Sequence, residues 1–406
     1  MTQVLSIGTY LPPWTARDQR VKGPDEDALT MAVAAGRAAD PDAAAERVVL
    51  VSRDFPLLEG GNGAVLLAAL SLSADTPVSE VLGGGPAVLD QIGGACNGTL
   101  VIAADDNDIA VGAGAVLAGD GGANLTPSAR QTRSLPLTAR GGDGARHAYV
   151  DPRLQREVGV RATLTRLGLT GTPGLAAAAG VPLAHVASHF DTSDAFADPS
   201  VSAAAIIRLM AGAVQAGRAG VLLAVEQSSI SAAALTLEGP GPRIARDEFP
   251  PRELPPLRVA DGVGIPISMP AYARAFEPKI RWEAAVFEES PGIDATPQFP
   301  PRLRVNNLGQ LATEYRLDPL PRTGTVYTHT TVRIPVPDLP SPYSLAVVQL
   351  DDSPVRVLLK VTGVPAGEAE IGQPGSVVLR RIATRAGIPD YGYAFWPGRT
   401  LEGVHA

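Results

Sequence analysis

The stretch PVSEVLGGGPAVLDQIGGACNGTLVIAADD, residues 77–106, decides how the chain is read. VSEV (78–81) has the character of a short strand, GGG (83–85) interrupts it, PAVLDQI (86–92) begins a helix, and TLVIAAD (99–105) reads as the next, buried strand. Strand, tight turn, helix and strand make one unit of a layered α/β fold. The stretch also holds the only cysteine, Cys96. Whether that thiol is a nucleophile separates an enzyme from a supporting subunit.

Working outward, the bulk numbers bound the rest. A chain of 406 residues is expected to form two or three domains, and 45% apolar residues suffice for a sizeable core. Aromatics are only 5%, which suits tightly packed α/β layers. The net charge of −8, with no run of Lys or Arg, argues against nucleic acid or an anionic membrane as the main partner. A single cysteine excludes an internal disulfide framework and any cysteine-rich zinc site. No apolar run is long enough to span a bilayer and the N-terminus is unlike a signal peptide, so a soluble, cytoplasmic protein is expected.

Up to about residue 240, strand-like runs alternate with Ala-rich helical ones: VLSIGTYL (4–11), EDALTMAVAAGRAA (26–39), RVVLVSR (47–53). TLVIAADDND followed by GAGAVLAGDGG is echoed about 120 residues later by VLLAVEQSS followed by SAAALTLEGPG. LAHVASHFD (183–191) similarly echoes RVVLVSRDF (47–55). The repetition predicts a duplicated α/β unit. We therefore expect one domain over 1–240, in pseudo-repeats of about 1–125 and 126–240, then a Pro-rich linker over 241–275. Beyond residue 300, period-two strands such as TGTVYTHTTVRIPV, SLAVVQLDD and VRVLLKVTGV predict a small closed β-barrel of OB type.

IGTYLPPW followed by GPDEDALTMAVAAGRAA resembles the N-terminus of thiolase-fold condensing enzymes, in the branch of hydroxymethylglutaryl-CoA synthase and type III ketoacyl synthase. PPR (300–302), GTVYTHTTV (324–332), YSLAVVQLDD (343–352), Gly372 and YAFWP (393–397) resemble the thiolase-associated OB-fold family, which usually carries a zinc ribbon before its barrel. The resemblance implies a layered α/β/α thiolase-like domain, a zinc-ribbon-like segment over 276–315 and an OB-fold domain over 316–406.

It also implies a site. The family's nucleophilic Cys opens a central helix, whose N-terminus lowers the thiol pKa. Here that place falls on GGG, most naturally at Gly85, which has no nucleophile. Cys96 stands about eleven residues on, before a strand, and is expected to be a bystander. The family's base-bearing loop matches HFDTSD, placing His189 as the candidate base. The family's Asn is missing, with Asp198 the nearest polar substitute. Zinc is not expected, since Val305 and Leu308 stand at ligand positions after PPR.

These residues lead to a catalytically degenerate thiolase-fold/OB-fold subunit. It would support an acyl-CoA-dependent, C–C bond-forming acyltransferase complex by completing a partner's site. The expected partner is a Cys-bearing thiolase-fold subunit or a second copy, with an acyl carrier protein also possible and no nucleic acid or membrane. No tightly bound cofactor is expected; acyl-CoA or an acyl-carrier-protein thioester is the substrate of the complex. The rival is a stand-alone acyltransferase or aldolase acting on an acyl-CoA with His189 as base.

Overall fold

The computed structural model describes residues 1–133, 138–141, 145–149, 151–169, 171–262, 276–335, 337, 339–385 and 387–400. The chain divides into two compact units. The first comprises 1–11, 34–63 and 75–249; the second comprises 12–33, 64–74 and 250–406.

Along residues 1–118 the elements run β1 (Thr2–Leu11), α1 (Ala28–Ala39), β2 (Arg47–Ser52), α2 (Asn62–Ala69), β3 (Val78–Leu82), α3 (Gly85–Gly93), β4 (Thr99–Asp106) and β5 (Val111–Ala118). The next run is β6 (Ala123–Gln131), α4 (Pro152–Val158), α5 (Val160–Arg166), β7 (Leu175–Ala179), β8 (Phe196–Asp198), α6 (Ala205–Gln215), β9 (Gly220–Glu226) and β10 (Ser229–Leu237). Ten strands join in the order β8-β7-β9-β10-β6-β1-β5-β4-β2-β3. Reading outward from the centre, β1-β5-β4-β2-β3 is repeated as β6-β10-β9-β7-β8, each strand matched by the one five places later. The duplication expected from the echo is thus written into the strand order. The echoed segments are the antiparallel pairs β4–β5 and β9–β10.

Among the described residues the two half-sheets pair only where Thr2–Val4 meets Ala123–Leu125. Beyond that point Ser6–Leu11 of β1 takes a parallel strand, β11 (Arg243–Glu248). The segment expected as a linker from 241 therefore begins with a sheet strand; residues 263–275 lie outside the described residues. One hydrophobic cluster unites Val88, Leu89 and Ile92 of α3, Ile206, Ile207 and Met210 of α6, and strand residues of both halves. The two central helices are thus buried between the halves. Leu222 and Ala224 of β9 face this cluster, while Val221, Leu223 and Val225 face a second one with Leu164 of α5. That alternation is the signature of a strand buried on both faces. On β1, a side chain at Gly8 would strike the backbone of Ala35 and Ala39, so α1 lies flush on the strand only because Gly8 has none.

The halves are not equal. α2 separates β2 from β3, but β7 and β8 are joined by a loop with a single 3-10 turn, Leu183–His185. LAHVASHFD is therefore not the counterpart of β2; β7 is. Its apolar residues serve a turn that packs Val186 and Phe190 against the outer cluster, and short apolar runs do not distinguish these outcomes.

In the second unit, β12 (Glu283–Phe287) pairs with β13 (Tyr315–Pro319), and a small hairpin pairs Arg304–Val305 with Leu311–Ala312. Ala285, Phe287 and Ile293 form its small apolar core. Then β14 (Thr323–Val332), β15 (Tyr343–Leu350), β16 (Arg356–Val361), β17 (Pro374–Arg385) and β18 (Ile388–Pro397) close as a barrel in the order β14-β15-β16-β18-β17. This is the five-stranded OB barrel.

The acidic run Asp25-Glu26-Asp27 belongs to this unit too. All three side chains are buried, with Glu26 3.3 Å from Arg380 and the Tyr391 hydroxyl donating to Asp27 at 2.8 Å. Buried charges persist only when paired in this way. The resemblance groups the run with the thiolase-like N-terminus, whereas the fold uses it to hold the barrel.

Candidate functional site

β3 and β4 run parallel to β2, and β7, β8 and β9 are likewise mutually parallel. In such sheets the carboxyl ends of the strands, where helices begin, are the natural place for a site. At that end of the first half, β3 leads through Gly83 and Gly84 into α3, with Gly84 as N-cap and Gly85 as first helical residue. No side chain of the helix caps its own N-terminus. Instead the Glu226 carboxylate, at the end of β9 in the other half, accepts the Gly84 N–H at 3.0 Å.

Arg53, just past β2, brings its Nε to 2.7 Å from the other oxygen of Glu226. The contact is one of charge, because the Nε–H is not aligned for a hydrogen bond. Arg53 Nη2 is buried without a hydrogen-bond partner, and a side chain at Gly84 would collide with both Arg53 and Glu226. The guanidinium therefore occupies the volume in front of α3. A Cβ at Gly85 would lie 3.3 Å from that of Ala224, a tight fit needing small adjustment.

The mirrored position in the second half is built the same way. Asp105, at the end of β4, accepts the N–H groups of Ala203 and Ala204 at 2.9 Å each, and the Ser202 hydroxyl at 2.7 Å, just before α6. Each half thus supplies the carboxylate that caps the other half's central helix. Burial pushes the Asp105 carboxyl above the ordinary carboxylate range, against the pull of the donors from Ala204, Ala203 and Ser202.

The residues named from sequence divide by place. Gly85 opens α3, in the arrangement expected for the strand, turn and helix. Asp198 closes β8 at the same end of the sheet, but it accepts from Ser200 at 2.9 Å and pairs with Arg208 at 3.2 Å. His189 does not join them. It precedes Asp191, which pairs beside Gly174 at the beginning of β7, so the loop has returned to the opposite end of the sheet. Five residues of β7, roughly 16 Å of strand, separate the two ends. The only side-chain partner of His189 among the described residues is Ser188, 2.9 Å from Nδ1. Cys96 follows the C-terminal end of α3 and is exposed. Val305 and Leu308 are exposed on the small hairpin, and no group of three or more His, Cys, Asp or Glu able to hold a metal occurs among the described residues.

Arg53 and Glu226 were missed by sequence reading. Glu226 was legible as the end of an echoed strand, whereas its contact with Gly84 depends on how the halves pack. No described helix is long and apolar enough to cross a membrane.

A family model for the C-terminal OB-fold domain of ChsH2 matches residues 318–380. Among solved structures, the chain is similar to 3-oxoacyl-[acyl-carrier-protein] synthase III from Aquifex aeolicus, at 15% identity over 58% of this chain and 99% of that one, with a TM-score of 0.45. It is similar to the priming β-ketosynthase of the R1128 polyketide pathway at 19% identity over 60% and 97%, with a TM-score of 0.44. An Ltp2–ChsH2(DUF35) aldolase matches at 20% identity over 32% and 94%, with a TM-score of 0.25. No curated protein sequence matches the chain. The fold assignment stands on the mirrored strand order and the closure of the barrel. The chain joins a duplicated, thiolase-like α/β domain to an OB-fold domain similar to the C-terminal domain of ChsH2.

Proposed function

We propose that this chain is a non-catalytic thiolase-fold/OB-fold subunit of an acyl-CoA-dependent, C–C bond-forming acyltransferase assembly. A Cys-bearing thiolase-fold partner would carry the acyl group. The observation behind this reading is the occupied front of α3. A helix N-terminus activates a thiol by favouring negative charge beside it. Here that position is given to the Glu226 carboxylate, and the Arg53 guanidinium takes the space a nucleophile needs. A second anion would be formed against an existing one, at a residue without a side chain.

The stand-alone alternative rests on His189, a strand length from this place and without a carboxylate partner among the described residues. Acyl-CoA or an acyl-carrier-protein thioester would be the substrate of the assembly rather than of this chain, and no zinc is needed. The test is turnover by the purified chain, by a Cys-bearing thiolase-fold protein that co-purifies with it, and by the two together. Condensation of acyl-CoA that requires both is the expected result. Turnover by this chain alone, abolished by His189→Ala, would replace this reading with the aldolase.

A further inference from the structure

We draw no further inference here: the strongest candidate, the apolar face that Leu303, Val305, Leu308 and Leu311 leave exposed on the small hairpin of the second unit, carries none because nothing in the structure shows what covers it.

Discussion

The two central helices of the thiolase-like domain begin alike and differ in what surrounds their first turns. At α6, Asp105 is wholly buried, and its oxygens are taken by two backbone N–H groups and one hydroxyl. At α3, Glu226 is about one-fifth exposed, gives one oxygen to the backbone, and turns the other to Arg53. The first is a structural cap. The second is the same device at the one helix terminus where the thiolase resemblance asks for a reactive side chain. A duplicated fold offers two equivalent anion positions, and this chain fills both with its own carboxylates.

The comparison can be broken most forcefully at Asp105. Asp105→Ala leaves three buried donors without an acceptor and should cost about 3–4 kcal/mol, read from urea midpoints at constant slope. Glu226→Gln keeps an acceptor for Gly84 and loses only a partly solvated ion pair, so about 0.5–1 kcal/mol is expected. Equal losses at the two sites would show that both caps are structural.

The pH dependence sharpens the same contrast. With a folded pKa raised above 3.8, Asp105 favours folding fully below that pH and loses this contribution as pH rises through the folded value. The stability gap between the parent and Asp105→Asn should therefore shrink as pH rises across that window. A gap that widens would mean the ionised form is the stabilised one.

A thiol reports on α3 itself. In Gly85→Cys, the carboxylate of Glu226 opposes ionisation of the new thiol, and adding Glu226→Gln removes that opposition while leaving Arg53 in place. Alkylation rates against pH should place the double variant's thiol about one unit lower. The smallest effect is expected from Cys96→Ala, on an exposed loop, which should change neither stability nor acylation.

Much of this arrangement was legible in the sequence for a physical reason. Strands buried on both faces are written in runs such as TLVIAAD and VLLAVE, and the echo between them carries the duplication. GGG at 83–85 gave the turn before α3 directly, because a run of glycines has few other uses. The place of His189 was not legible, because β7 and β8 are joined by a loop without the helix found between β2 and β3, and such a loop leaves no periodic mark of the end of the sheet it occupies. Arg53 and Glu226 stand 173 positions apart in the chain, joined by packing alone. Asp25, Glu26 and Asp27 look like a solvated charge run, and their burial depends on Arg380 and Tyr391 of the barrel, far along the sequence.

The most direct measurement of the central claim is intact-protein mass spectrometry of the chain after incubation with acetyl-CoA and longer acyl-CoAs, beside Cys96→Ala. The account predicts no acyl adduct on either protein. A stable adduct on the parent that vanishes in the variant would make Cys96 the nucleophile and this chain a condensing enzyme in its own right.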